Sequence, residues 1–218
     1  MSTTNTRSSD QAPTLPIGGK KQATRTRIID CAIPLFSESG YDKITMESIA
    51  KAAGISRANI YLHFKTKAEL VAAMLEQLSP EVIDSYRVLD SIDPNDIKSL
   101  RAWVENASRL WIERPRQLET LEHALAVEPL VAARWYQTLS ESADAMTTFL
   151  GRYEDGPPRQ RAHLAAITTM LSLERTLYFV LVRKAPADLS DVFDVLTAQC
   201  HGVLASNVAA EMPSPTPR

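Results

Sequence analysis

Apolar residues return every three or four positions along most of this chain, and no stretch alternates as a half-buried strand would, so the sequence predicts an all-α protein. Ile28, Ile29, Ala32, Leu35 and Phe36 mark a first helix that ends at Gly40, with Tyr41 placed for an apolar contact past the cap. Pro34 inside it removes a backbone donor and is expected to bend it. A short helix follows Thr45, with Ile49, Ala50 and Ala53 on one face, and another follows Ser56, with Ile60 and Phe64 turned to the core. Leu70, Val71, Met74, Leu75 and Leu78 share the inner side of a helix over 67–79, which Pro80 is expected to close. Beyond the polar stretch Asp90 to Asp96, the residues Leu100, Trp103, Val104, Ala107, Leu110 and Trp111 define a helix over 97–114. Pro115, Pro129, the Gly156-Pro157-Pro158 turn and Pro186 divide the remainder into helices near 116–127, 129–153, 158–184 and 188–207.

The stretch from Thr45 to Lys67 carries the strongest signal. Thr45 can cap one helix, Gly54 tolerates the positive φ that ends it, Ile55 plugs the angle, and Ser56 can cap the next helix. Two helices joined by so tight a turn read as a DNA-reading helix-turn-helix. Ala58, Asn59, Tyr61 and Leu62 then face outward. Asn59 can pair with an adenine edge, Arg57 with a guanine or a phosphate, and Ala58 allows approach to a thymine methyl, while Tyr61, His63 and Lys67 suit phosphate oxygens. An ordinary helical hairpin with a solvated outer face is the alternative, and the exposed Tyr61-Leu62 pair argues against it.

A net charge of -2 would discourage a nucleic-acid partner, so its distribution has to decide. Residues 1–70 hold 10 Lys and Arg against 6 Asp and Glu, whereas residues 71–218 hold 14 against 20. The N-terminal part can therefore neutralise phosphates of double-stranded DNA, and the acidic remainder is expected to face away from them. Residues 1–20, rich in Pro, Gly, Ser and Thr, are expected to be a disordered arm. Lys20, Lys21, Arg25 and Arg27 behind it could track a phosphate backbone or simply be solvated. At 44% hydrophobic and 23% charged the composition is that of a soluble globular protein, and the apolar run Leu177 to Val182 is too short for a bilayer. No membrane partner is expected, and the cytoplasm is the expected compartment. Cys31 and Cys200 are read as small core residues without a disulfide. The scattered His63, His123, His163 and His201 give no metal-binding spacing, so no metal and no cofactor are expected.

The residues from about Thr26 to Leu75 resemble the DNA-binding domain of the TetR family of bacterial transcription regulators. Phe36, Gly40, Tyr41, Thr45, Ile49, Ala50, Ala53, Gly54, Ser56, Tyr61, Phe64, Lys67 and Leu70 carry the likeness. It implies a three-helix helix-turn-helix domain over 21–68 and a helical effector-binding and dimerisation domain over 69–208, with a disordered tail over 209–218. The implied DNA-contacting set is Thr45, Ser56, Arg57, Ala58, Asn59, Tyr61, His63 and Lys67. Leu164, Ile167, Leu171, Arg175, Tyr178 and Val182 repeat at helical spacing, as do Val192, Val195, Leu196, Gln199 and Val203. In the family two such C-terminal helices form a four-helix bundle with a second subunit, which implies a homodimer through Leu164, Leu171, Arg175, Val192, Val195, Leu196 and Val203. The spacing alone fits intramolecular packing equally well.

Residues 80–218 contain no ordered nucleophile set, phosphate loop or carboxylate pair, so no enzyme is expected. They do contain Trp103, Trp111, Trp135, Tyr136, Phe149, Met170, Tyr178 and Phe179, which suit either plain core or the lining of an apolar cavity. Met170 to Leu177 resembles the pocket helix of the ethionamide-resistance repressor subgroup, but Leu173 stands where that subgroup has a ligand-binding asparagine. The expected effector site is Trp103, Asn106, Leu110, Trp135, Met170, Leu173, Glu174, Leu177 and Phe179, with Asn106, Thr169 or Ser172 as substitute polar anchors. Glu174 and Arg175 are read as a structural charge pair. The expectation is a ligand-responsive repressor that binds a pseudo-palindromic operator and is released by a hydrophobic small-molecule effector. An architectural DNA-binding protein without effector, or a helical enzyme on the same fold, are the alternatives.

Overall fold

The computed structural model describes residues 17–206, and among these every regular element is a helix. The order is α1 (Ile17–Ser39), α2 (Met46–Ala52), α3 (Arg57–His63), α4 (Lys67–Asp90), α5 (Ile97–Glu113), α6 (Pro115–Val127), α7 (Pro129–Ala145), the single turn α8 (Thr147–Leu150), α9 (Pro157–Leu177) and α10 (Leu189–Ala205). Residues 178–182 continue α9 as a π turn. Lys20 and its neighbours, expected in the arm, are helical, whereas the rest of that arm (1–16) and the expected tail lie outside the described residues. Pro115, Pro129 and Pro157 each occupy a first helical position, where a missing N–H costs nothing.

Three helix boundaries differ from the sequence expectation. Pro80 does not close the fourth helix, which runs on to Asp90. A proline in mid-helix costs about 3 kcal/mol. The turns beyond it bury Tyr86 and Leu89, each worth about 1.5–3 kcal/mol, so packing outweighs the lost bond. Buried Ser79 stitches the same place, donating to the Leu75 carbonyl at 2.8 Å and lying 2.8 Å from the Thr138 hydroxyl of α7. The helix expected over 129–153 breaks at Met146, because both carboxylate oxygens of Asp90 accept the backbone N–H groups of Thr148 and Phe149, at 2.8 Å each, and start α8. The helix expected to reach 184 widens instead at Tyr178, whose carbonyl accepts from Arg183 five residues on, at 3.0 Å.

Two cores organise these helices. The first joins α1, α2, α3 and the start of α4 around Ile28, Phe36, Ile49, Ile60, Phe64 and Leu70, and it is completed by Ala124 of α6 and Val131 of α7. The second fills the space among the later helices with Leu100, Trp103, Leu139, Met170, Leu173 and Leu196. Leu121 of α6 and Trp135 of α7 pack against both. The second core also buries Cys200, whose thiol is pushed up to about 11 by burial, while Cys31 is only partly buried at the edge of the first. Pro157–Val182 is long and apolar enough to cross a membrane, but it buries Ala166, Ile167, Met170, Leu173 and Leu177 in this core.

Replacing Asp90 by Ala leaves the first turn of α8 without its acceptor. The expected loss is about 1–2 kcal/mol, read as a lower urea midpoint at unchanged slope.

Candidate functional site: a helix-turn-helix face and a cavity behind it

The turn between α2 and α3 follows from its sequence. Gly54 adopts φ +64, its N–H donates to Lys51, and the Ile55 N–H donates to Ala50 at 3.0 Å, which is the double-bonded helix stop that only a residue tolerating positive φ supports. Thr45 and Ser48 form a reciprocal cap on α2, and the Ser56 hydroxyl accepts the Asn59 N–H at 3.2 Å to start α3. Both cap hydroxyls accept here, so each keeps its hydrogen for a phosphate oxygen. Ile60 and Phe64 are fully buried, which turns Arg57, Ala58 and Leu62 to solvent and leaves Asn59, Tyr61 and His63 half-exposed beside them.

The face is held by partners that sequence reasoning missed. Glu47, in the first turn of α2, accepts Arg57 Nε at 2.9 Å and lies 3.5 Å from the Tyr61 hydroxyl. A nucleic acid must displace that carboxylate, at little cost because exposed ion pairs are worth about 0–1 kcal/mol. Arg25 is not a loose basic leader: its guanidinium stacks 4.1 Å from the Phe64 ring and donates to the His63 carbonyl at the end of α3. Burial first, then Lys21 and Arg25, lower the pKa of His63, so the imidazole stays neutral near pH 7 and can offer a phosphate a hydrogen bond without charge. The Lys67 ammonium points back into the protein, donating to the Tyr41 carbonyl at 2.8 Å and lying 4.3 Å from the Tyr41 ring.

Tyr41 joins this face to the rest of the molecule. Its ring is buried in the first core, and its hydroxyl donates to Glu128, between α6 and α7, at 2.7 Å. Burial and that carboxylate push its phenol well above the usual range, so it stays protonated as donor. Thr120 of α6 donates to the Phe36 carbonyl at 3.2 Å, and His123 lies 3.1 Å from the Asp42 carboxylate.

Behind this junction lies a cavity of about 530 Å³ among α4, α5, α6, α7 and α9. Trp103, Asn106, Leu110, Trp135, Leu173 and Glu174 of the expected effector set line it together. Three others do not. Met170 faces a small adjoining void, Leu177 is buried in solid core, and Phe179 is 51% exposed because the π turn rotates it outward. Of the alternative anchors, Thr169 and Ser172 are spent on the Ala165 carbonyl and the Gln199 side chain. Tyr86, Trp111 and Glu122 complete the wall. Tyr86 was missed because it lies beyond the proline expected to end its helix.

The Glu174-Arg175 charge pair does not form. Arg175 turns to Glu122 instead, at 2.8 Å, and stacks over Tyr178. Glu174 accepts the Trp135 indole N–H at 3.1 Å. Burial pushes the Glu174 carboxyl up to about 8, against the indole N–H and with Glu122 adding to it. Burial likewise raises Glu122, against the neighbouring Arg175.

On α9 and α10, Leu164, Leu171 and Val195 are exposed, Arg175 is half-exposed, and Val192 and Val203 are partly buried against the chain's own core. Leu196 is only 2% exposed and belongs to the chain's own core, which corrects its reading as an interface residue.

The family model described as bacterial regulatory proteins, tetR family, matches residues 28–74. The HTH-type transcriptional regulator TtgR of Pseudomonas putida is 46% identical over 75 residues, which cover 34% of this chain and 36% of that protein. The chain thus spans about a third of the length of that relative. The HTH-type transcriptional activator FasR of Mycolicibacterium smegmatis is 27% identical over 76% of this chain and 79% of its own length. A solved tetR-family transcriptional regulator from Streptomyces coelicolor superposes with a TM-score of 0.61 at 22% identity, covering 90% of this chain and 92% of that one.

If Tyr41 ties the two cores as this geometry implies, Tyr41→Phe loses about 0.5–1.5 kcal/mol. Denaturant unfolding followed by tryptophan emission, which reports on the second core, then shifts to a lower midpoint.

Proposed function

We propose that this chain, whose residues 28–74 match the tetR-family model of bacterial regulatory proteins, is a TetR-family regulator acting as a homodimeric, ligand-responsive transcriptional repressor. It binds a pseudo-palindromic operator in the cytoplasm and leaves it when a small hydrophobic molecule fills the cavity. The observation that carries the reading is the sharing of Leu121 and Trp135: both line the cavity, and both pack against the core that holds α3. A ligand pressing on either residue moves α6 and α7, and with them the Glu128 carboxylate that receives Tyr41.

Release requires that the ligand prefer the spacing of the two recognition helices that does not fit DNA. Linkage then requires the operator to weaken the ligand by the same factor as the ligand weakens the operator. Arg57 and Asn59 read bases, while Thr45, Ser56, Tyr61 and His63 serve the backbone, and Ala58 gives close approach. Lys67, held by Tyr41, sets the junction and reaches a phosphate only by giving up that carbonyl. Leu173 and Glu174 on the cavity wall are in keeping with a pocket of the ethionamide-resistance repressor type that lacks its asparagine anchor.

Operator selection followed by fluorescence anisotropy tests the DNA reading. Affinity for the selected duplex is expected to exceed that for random DNA and to fall with salt as counterions are released. Asn59→Ala is expected to cost about 1–3 kcal/mol at one base pair; equal binding to random DNA would favour an architectural protein.

The dimer rests on the exposed stripe of Leu164, Leu171 and Val195. Val195→Glu is expected to give a folded monomer in sedimentation, with operator affinity lost, since an unpaired charge in an interface costs several kcal/mol. Leu196→Glu is expected to unfold the subunit itself.

A further inference from the structure

All three tryptophans of the chain line the cavity, and Tyr86 joins them, so its walls offer several aromatic faces. Its charges lean one way. Glu81 and Asp84 come from α4, Glu113 from α5, Glu122 from α6 and Glu174 from α9. The lining cations are Arg109 and Arg114, both on the exposed rim and without an ion pair among the described residues, while Asp84 is paired with Arg87 and Glu122 with Arg175. The one guanidinium near Glu174, that of Arg175, is already held by Glu122 and by the Tyr178 ring. The Glu174 carboxyl therefore lines the cavity with an indole N–H on one oxygen and forms no ion pair among the described residues.

We propose that the cavity takes a lipophilic cation, an amine or quaternary ammonium carrying an apolar body, with Glu174 as its counter-ion and the tryptophans as its walls. This deepens the effector reading above and rests on it for its consequence at the operator. An ammonium over an aromatic face gains about 0.5–1 kcal/mol when exposed and about 2 or more when desolvated. A buried carboxylate without a partner is costly, which is what a cation relieves. An anionic ligand would meet the reverse.

The surroundings set the pH dependence. Glu174 titrates near 8 in the empty cavity, with Glu122 beside it, the Trp135 N–H on it, and the Tyr86 phenol and Cys200 thiol both raised and so protonated. A bound cation must expel the Glu174 proton, so its affinity rises from pH 6 to about 8 and flattens above.

The test titrates the full-length protein with three probes of equal chain length, decyltrimethylammonium, decanol and decanoate, following tryptophan emission at pH 8. The ammonium is expected to bind at least tenfold more tightly than decanol, and decanoate more weakly than both. Glu174→Gln, which keeps an acceptor for Trp135, is expected to erase the cation's advantage and its pH dependence while leaving decanol within about twofold; Glu174→Asp is expected to retain part of both. Equal or tighter binding of decanol or decanoate, an unchanged ranking in Glu174→Gln, or no binding of the ammonium would each overturn the proposal. Operator binding measured in parallel separates the two readings: a cation that binds through Glu174 without weakening the operator upholds this site and sinks the switching function.

Discussion

Leu121 and Trp135 are packed into two cores at once, and that double duty constrains everything else in the molecule. Close-packed interiors respond to a change of even one methylene, so neither side chain can move without disturbing both sets of neighbours. Helices α1 to α3 do not close their own core: Ala124 and Val131 of the later helices complete it. Tyr41 adds the directional part, a buried ring in the first core with its hydroxyl fixed on Glu128. The cavity lies directly behind these groups, so the core that holds α3 and the cavity share a wall.

The two ends of this arrangement differ in how they are held. The α2–α3 unit is set by neighbours in sequence, by the Thr45–Ser48 cap, the Gly54 stop and the Ser56 cap, and the Arg57 on its outer face is tied down by the exposed Glu47. It is a stiff unit with an easily exchanged counter-ion. The cavity end is held by long-range packing and carries carboxyl groups, Glu122 and Glu174, raised by burial. In the proposed switch, energy enters at the soft end and is read at the stiff one.

That contrast also explains what the sequence disclosed. The helix-turn-helix was readable residue by residue because each of its cap and turn bonds spans at most five positions. Pro80 misled because the price of a proline is local while its compensation, Tyr86 and Leu89 packing in the second core, is not. The break at Met146 was invisible for the same reason: its cap, Asp90, is 58 residues away from Thr148. The resemblance put Leu196 at an interface, whereas its periodicity marks an apolar stripe without saying which neighbour covers it. Glu47 escaped notice since a first-turn acid reads as a helix-dipole partner, and its grip on Arg57 exists only once two helices meet. The Trp103, Trp135 and Leu173 wall was foreseen from a resemblance, yet Glu174's partner was not, because adjacent residues on a helix point apart.

The shared wall is tested most directly by amide hydrogen exchange on the full-length protein with Leu121→Ala. Truncating a side chain that both cores use is expected to speed exchange in α3 and the end of α1 as well as along the cavity helices α5 to α7. Exchange accelerated only around the cavity, with α1 to α3 unchanged, would show two independent bodies and contradict the account.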